Sequence, residues 1–191
     1  MRTAPWIALM LLVAAMTAYG TWRVARLPAP VQPYEMTGSI QELMEQIVEP
    51  NADAIFESVA VISTPAGTED RTPKTDEDWA KVERAALTLA EAANLLRMPG
   101  RAVAAHTTAT TPTEAVPELT PVEIQQKIDA DRAQWMQHTG ALIRQAQRAI
   151  DYARTKNVAG MFELGGDLDQ VCENCHLAYW YPNAPQGPAA P

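Results

Sequence analysis

Both cysteines of this chain lie within five residues, Cys172-Glu173-Asn174-Cys175-His176, fifteen residues before the end of the sequence. Because the sequence contains no third cysteine, a disulfide bond between distant parts of the chain cannot hold the fold together. A chain of 191 residues is long enough to bury a sizeable apolar core. We therefore expect the fold to depend on that core and on whatever the two cysteines bind.

The pattern Cys-x-x-Cys-His is the attachment signature of c-type haem. On a helix, Cys172 and Cys175 lie on one face, and His176 lies one turn beyond Cys172. Two thiols can then reach the two vinyl groups of one porphyrin and form thioethers, while a neutral nitrogen of His176 becomes the proximal iron ligand. The motif thus predicts one covalently bound haem c, provided that the chain is exported.

A Cys-x-x-Cys pair also occurs as a structural disulfide, as a redox-active dithiol or as half of a zinc site. A structural zinc site needs further Cys or His ligands, and the other histidines, His106 and His138, lie far upstream. A thioredoxin-like dithiol would need a βαβ context, and no strand with convincing alternation is visible. Haem attachment is therefore the interpretation that the motif favours.

Residues 1–26 are predicted to form a signal peptide or a membrane anchor. Arg2 precedes an apolar run over residues 5–22, which is long enough to cross the hydrocarbon layer of a membrane. The small residues of Ala18-Tyr19-Gly20 favour cleavage by a signal peptidase, whereas an aromatic residue such as Trp22 near the end of the run favours a retained anchor. Either alternative places the rest of the chain in the periplasmic space, so tethering to the inner membrane stays open.

The chain is acidic, with 23 Asp and Glu against 15 Lys and Arg and a formal net charge of −8. An acidic surface repels phosphates, so no nucleic-acid partner is expected. A redox partner of unknown identity is expected instead, with a basic patch as one alternative, and a homodimer stays open. No paired carboxylates and no nucleophilic triad can be recognised, so no enzymatic activity is predicted.

Hydrophobic periodicity predicts an all-α domain over residues 37–181. A proline-rich tether over residues 27–36 precedes this domain, and a disordered tail over residues 182–191 follows it. The Thr-, Ala- and Pro-rich residues 98–119 are predicted to be a long, mobile crossover. Four amphipathic helices with one longer connection suit an antiparallel four-helix bundle.

The first predicted helix begins near Thr37 or Ser39, either of which can cap it. Pro50 is expected to kink this helix after Glu49 without ending it. Residues 63–74 are predicted to be a loop, and no strand is expected anywhere in the chain. The apolar stripe of this first segment comprises Ile40, Leu43, Met44, Ile47, Val48, Ile55, Val59 and Ile62.

The other three helices are predicted to begin at Thr75, Thr120 and Asn157. Thr120-Pro121-Val122-Glu123 combines a capping box with proline at the first helical position. The third helix is expected to extend from there to about Ala153, and Pro182 is expected to stop the fourth. The inner face of the fourth helix comprises Met161, Leu164, Leu168, Val171, Cys172, Cys175 and Tyr179.

The sixth iron ligand must precede Cys172, because residues 177–191 contain no Met, His or Lys. In an antiparallel bundle the C-terminal end of the fourth helix lies beside the N-terminal end of the first. His176 is about four residues from its helix end and Met44 about five from its helix start, and at about 1.5 Å per residue the two depths match. Met44 is therefore the expected distal ligand, with packing in the core as its alternative role.

Five other side chains are alternatives to Met44 as the sixth ligand, and one of them, Met161, lies at the opposite end of the fourth helix. Met136 and His138 are expected to lie too far along the third helix, about fifteen or more residues from its start. Met36 and Met98 are at the appropriate end of the bundle but fall in predicted loop or terminal positions. These placements leave Met44 as the predicted ligand and an open iron as the alternative.

The sequence resembles the class II c-type cytochromes, the cytochrome c-prime group and its low-spin, methionine-ligated relatives. The resemblance covers about residues 37–181 and rests on the haem motif near the C-terminus with an aromatic at Tyr179, on Ser39-Ile40-Gln41-Glu42-Leu43-Met44 in the first helix, and on Asp78-Trp79 and Leu89-Ala90-Glu91-Ala92-Ala93 in the second. It implies a four-helix bundle with the haem between the helices and an exposed porphyrin edge. It also implies ligation by a first-helix methionine, which maps onto Met44.

Two departures from the family bear on the haem propionates. Leu177 and Trp180 occupy positions where family members often carry Lys or Arg, and the usual first-helix arginine would fall at about Ile40. Arg97 or Arg101 is a candidate substitute for that arginine.

The sequence-based expectation is a monohaem electron carrier whose iron is ligated by His176 and Met44. The alternatives are a five-coordinate haem protein that binds NO or CO as a sensor or scavenger, and an accessory subunit in which haem serves structure.

Overall fold

The computed structural model describes residues 34–65, 67–105 and 118–184, together with Met10, residues 12–17 and Tyr19. The chain divides into two compact units, Met1–Glu35 and Met36–Pro191. In the first unit, residues 12–17 are helical. Most of the predicted leader and tether, and residues 185–191 of the predicted tail, lie outside the described residues. Among those described, no helix combines the length and the apolar character that crossing a membrane requires.

The second unit is mostly helical and carries one small hairpin, in agreement with an all-α class at the coarse level. Its elements, in chain order, are α1 (Ile40–Leu43), a π-helical turn (Met44–Val48), α2 (Glu49–Phe56), β1 (Ala60–Thr64), β2 (Gly67–Arg71), α3 (Asp76–Leu96), α4 (Pro121–Ala130), α5 (Arg132–Thr155) and α6 (Val158–Tyr179).

The predicted helix starts are confirmed by their capping hydrogen bonds. Ser39, Thr75 and Thr120 each form a capping box, in which the hydroxyl accepts the backbone N–H of the third helical residue and that residue's carboxylate accepts the N–H of the cap. The side chain of Asn157 accepts the N–H of Gly160 at 2.9 Å. These bonds satisfy amides that a helix leaves without intrahelical partners, which explains why local sequence locates the starts.

The first helical segment, Ile40–Phe56, is irregular before Pro50 and continues through that proline, as predicted; the irregularity is a π-helical turn over Met44–Val48. Across the π-helical turn, the N–H of Glu49 donates to the carbonyl of Met44, a hydrogen bond that spans five residues. In a regular α-helix the proline ring would clash with the carbonyl of Gln46, and Pro50 has no N–H to donate. The wider π turn accommodates both effects, and the chain continues as α2.

A hairpin occupies part of the predicted loop, so the expectation of no strand was wrong. β1 and β2 pair antiparallel from Ala60 opposite Arg71 to Thr64 opposite Gly67. Gly67 has φ of 133°, a conformation that residues with a side chain rarely adopt. Ile62 belongs to β1 and not to the helical stripe, because the helix ends at Phe56.

The third predicted helix is two helices, which break at Asp131. Asp131 has φ of −136° and ψ of 75°, outside the helical region, and its carboxylate accepts the N–H of Gln134 at 2.9 Å. Asp131 therefore ends α4 and caps α5. The depth of a residue along α5 is therefore counted from Arg132 and not from Pro121.

The start of the predicted crossover is fixed in place. The N–H groups of Ile40 and Gln41 donate to the carbonyls of Ala102 and Val103, each at 2.9 Å. Arg101 is buried, and its guanidinium donates to the carbonyls of Gly38 and Leu95. These bonds tie residues 101–103 to the beginning of α1. The prediction of a mobile crossover over residues 98–119 was therefore wrong for these three residues. Residues 106–117 lie outside the described residues.

Helix packing follows the predicted apolar faces. α3 packs along α5, α5 packs on α6, and the segment Ile40–Phe56 packs on α3. The indole of the fully buried Trp135 donates to the carbonyl of Leu96 at 3.0 Å, which joins the start of α5 to the end of α3. The apolar residues at helical spacing from α4 into α5 are all buried: Ile128, Trp135, Leu142, Ala146, Ala149, Ile150 and Ala153.

Candidate haem-attachment site

A cavity of about 310 Å³ separates the segment Ile40–Phe56 from α6. α5 and the last residue of α3 also contribute to its walls. The lining residues are Met44, Glu45, Val48, Glu49, Ala52, Asp53 and Phe56 of the first segment, Leu96 of α3, His138, Thr139 and Leu142 of α5, and Val171, Cys172, Cys175 and His176 of α6. Three residues of the sequence motif therefore face one largely apolar space.

The two cysteines lie on α6 near its C-terminal end. Both are free thiols, and both line this cavity. Burial is the main cause that raises the pKa of Cys172 to about 11 and that of Cys175 to about 12. Reactive dithiols have the opposite property, a pKa lowered to near or below neutrality. The surroundings therefore argue against a redox dithiol and keep both sulfurs protonated at neutral pH.

His176 is largely shielded from water, and burial lowers the pKa of its imidazole, so the ring is neutral at neutral pH. Its ring centroid lies 5.9 Å from that of Trp180 and 5.9 Å from that of Tyr181. The hydroxyl of Tyr181 in turn donates to Glu173 at 3.0 Å. A neutral imidazole is the form that binds a metal, so His176 is in the state that axial ligation requires.

Met44 lies at the junction of two cavities. A second cavity of about 260 Å³ adjoins the first and shares with it Met44, Glu45 and His176. Its other walls are Gln41, Val103, Glu118, Leu119, Pro121, Ile124, Trp180 and Tyr181. The predicted axial pair, one residue from the first helical segment and one from α6, is thus brought to the same place.

The competing methionines are engaged elsewhere. The sulfur of Met98 accepts a hydrogen bond from the guanidinium of Arg101 at 3.2 Å. The methyl group of Met36 lies beside Gly100, 3.6 Å from where a β-carbon on that glycine would stand. Neither side chain lines the two cavities, and neither does Met136. Of the methionines that the structure describes, Met44 is the one at this site.

His138 lies at the site, contrary to the expectation that it would be too far along the third helix. The break at Asp131 starts a new helix at Arg132, which places His138 only about two turns from the start of α5. Its ring meets the ring of Tyr179 edge-on, with the centroids 5.8 Å apart. Sequence reasoning considered His138 but placed it too deep, because a helix break cannot be recognised from apolar periodicity, which continues across it.

No lysine or arginine lines either cavity, among the residues that the structure describes. The guanidinium of Arg101 donates to backbone carbonyls and to the sulfur of Met98, and Arg101 is not among the lining residues. Arg97 does not line the cavities either. The walls instead carry the exposed carboxylates of Glu45, Glu49 and Asp53.

Within the described part of the chain, no three His, Cys, Asp or Glu side chains are grouped as ligands for a metal ion. The zinc alternative therefore gains no support there. Haem needs fewer ligands from the protein, because the porphyrin supplies four ligands to iron and the protein supplies only axial ones.

Comparison with protein-family models, with curated proteins and with solved structures found no match for this chain. The resemblance to class II c-type cytochromes thus stays a prediction from the motifs.

Proposed function

We propose that this chain is a monohaem c-type cytochrome that carries electrons in the periplasmic space, with its iron ligated by His176 and Met44. One observation carries the proposal: the cavity that Cys172, Cys175 and His176 line on α6 is also lined by Met44 from the opposite helical segment. Two thiols, an imidazole and a thioether around a largely apolar space are the donor set that a covalently bound, six-coordinate haem requires.

The finer architecture that we propose is an antiparallel four-helix bundle with the haem between its members. Those members are the segment Ile40–Phe56, α3, α4 with α5, and α6. The packing of α3 on α5, of α5 on α6 and of the first segment on α3 supports this arrangement. The space between the first segment and α6, where the cavity lies, is where the bundle would hold its cofactor.

In this proposal each residue has a separate task. Cys172 and Cys175 hold the porphyrin through thioethers, and His176 and Met44 supply the axial ligands. The haem, when bound, supplies the one-electron chemistry of iron. Leucine, valine and phenylalanine side chains of the lining would pack against the porphyrin. The thioether of Met44 would stabilise ferrous iron and so raise the reduction potential.

A redox partner with a basic surface fits this site. Glu45, Glu49 and Asp53 are exposed where they line the cavity, and neither Lys nor Arg accompanies them within the described lining. Complementary charge around a cofactor edge raises the rate at which partners meet. The partner's identity, anchoring through residues 5–22 and a homodimer are outside this proposal.

Attachment is tested by exporting the protein from a host with a c-type haem maturation system. The expected result is one haem per chain that survives acid-acetone extraction, together with a haem-modified peptide that contains Cys172 and Cys175. The variant with both cysteines changed to Ala is the matched control and should release any haem. A colourless, folded wild-type protein with two free thiols would overturn the proposal.

Spectra of the same preparation separate electron transfer from the gas-binding alternative. A six-coordinate, low-spin protein that cycles reversibly at an electrode supports electron transfer. A high-spin ferrous protein that binds CO or NO at once supports the five-coordinate alternative, which the apolar lining by Val48, Phe56 and Leu142 would also admit.

A further inference from the structure

The imidazole of His138 lines the same cavity as the motif on α6 and as Met44. Besides His176, it is the one imidazole in the lining of the two cavities, within the described residues. The remaining heteroatoms of that lining are carboxylate, amide, hydroxyl, indole and backbone groups and the sulfurs of Met44 and the two cysteines. His138 is therefore a second nitrogen donor at a site for which the motif accounts for only one.

Four linked contacts position His138 beside the attachment motif. The carboxylate of Asp131 caps α5, the indole of Trp135 donates to the carbonyl of Leu96 at 3.0 Å, and the Trp135 ring meets that of Tyr179 edge-on at 5.1 Å. Tyr179 in turn meets the ring of His138 at 5.8 Å. Because Tyr179 lies one turn beyond Cys175 on α6, these contacts tie the start of α5 to the attachment motif.

The ring nitrogens of His138 make no hydrogen bond to any residue that the structure describes. The side chain is only partly buried, and it also borders a shallow surface pocket between α5 and α6 with Gln134, Ala141 and Val171. Partial burial lowers the pKa of the imidazole, which keeps a lone pair available at neutral pH.

We propose that His138 is a second ligand for the sixth coordination position of the iron, in competition with Met44. This inference rests on the proposed haem site. With Met44 in place the thioether occupies the position, and when Met44 is lost from the position the imidazole of His138 takes it. The exchange replaces one neutral donor by another, so it involves no net proton or electron transfer. It keeps the iron six-coordinate and lowers the potential, because a thioether stabilises ferrous iron more than an imidazole does.

Matched variants separate the two donors. Met44→Leu keeps an apolar side chain of similar size and removes the sulfur, and His138→Phe keeps an aromatic ring against Tyr179 and removes both nitrogens. The double variant removes both donors, and Met36→Leu is the control. Each holoprotein is checked for covalent haem and for helix content before its spectra are recorded.

The expected result for Met44→Leu is a low-spin ferric spectrum of the bis-imidazole type, a potential below that of the wild type and slow reaction of the ferrous protein with CO. The double variant should be high-spin, and its ferrous form should bind CO at least about tenfold faster than that of Met44→Leu. His138→Phe alone should keep the wild-type axial spectrum, and so should Met36→Leu.

A high-spin Met44→Leu protein that binds CO as fast as the double variant would overturn the proposal for His138. Covalent haem and a thioether spectrum in the wild type would then still uphold the proposed function. If Met44→Leu does not fold, Met44→Gln tests the same prediction, with bis-imidazole ligation expected and a high-spin spectrum contradicting it. Absence of covalent haem from the wild type would contradict both proposals at once.

Discussion

Removing the cofactor should cost this protein much of its stability, because the cavity between the segment Ile40–Phe56 and α6 would then be left unfilled. An unfilled volume costs about 24 cal/mol per Å³, so about 310 Å³ corresponds to about 7 kcal/mol. Because exposed carboxylates border the cavity and water can enter it, this figure is an upper limit. Total stabilities of domains are about 5–15 kcal/mol, so the loss is a large fraction of the whole.

The perturbation is Cys172→Ala together with Cys175→Ala, which prevents attachment. Urea denaturation followed by far-ultraviolet circular dichroism should give an unfolding free energy lower than that of the holoprotein by several kcal/mol, with about 7 kcal/mol as the limit. Wild-type protein made in the cytoplasm without maturation machinery is the control, because it lacks haem but keeps both thiols. If both haem-free proteins lie within about 1 kcal/mol of the holoprotein, a cofactor does not fill this cavity.

Three further predictions concern single residues. Tyr179→Phe should raise the unfolding free energy by about 1–3 kcal/mol in urea denaturation, since its buried hydroxyl has no partner among the described residues; a loss of stability would reveal a partner. Thr120→Ala should cost about 1 kcal/mol at pH 7. Thr120 holds the pKa of Glu123 below its ordinary value of 4.5, so the stability from this pairing is present above that value and is lost as pH falls through the lowered pKa. Denaturation over a series of falling pH values should show the difference between the two proteins shrink, and a difference that stays constant down to full protonation of the carboxylates would refute the pairing. Pro50→Ala should let the π-helical turn become α-helical, which rotates Met44 and weakens the thioether band in the ferric spectrum; an unchanged band would contradict a positioning role for the turn.

Local signals located the helices well. Ser39, Thr75, Thr120 and Asn157 cap helices as predicted, because a capping hydrogen bond joins residues only two or three positions apart. The buried faces were also predictable, since a period of 3.6 residues assigns each apolar side chain to one side of its helix. Cys172, Cys175 and His176 were chosen from their spacing alone, and haem attachment through them stays a prediction.

Features that depend on contacts between distant residues were not predictable. The break at Asp131 leaves apolar periodicity intact on both sides, so residue counting placed His138 too deep in one long helix. The hairpin over residues 60–71 is exposed along β2, which leaves no alternating apolar pattern to recognise. The π-helical turn follows from a clash that Pro50 would make one turn upstream, where counting assumed regular geometry.

The prediction of Met44 as distal ligand used two kinds of information, residue counting along helices and the resemblance to a known family. The depth of Met44 was counted along regular helices. Few residues separate Met44 from the cap at Ser39, and Met44 does line the same cavities as His176, but its ligation of iron stays a prediction. The count for His138 failed because the break lies between it and the cap at Thr120. The resemblance to class II c-type cytochromes favoured Met44 independently of any count, and the two cavities that meet at Met44 and His176 agree with it.

The central claim is that His176 and Met44 are the axial ligands of a covalently bound haem. Absorption spectroscopy of the ferric wild type and of Met44→Leu, from the far red into the near infrared, tests it most directly. We expect the wild type to show the weak charge-transfer band that a thioether ligand gives and Met44→Leu to lack it, with haem still covalently attached in both. A wild-type spectrum without that band, or a band that survives in Met44→Leu, would contradict the claim.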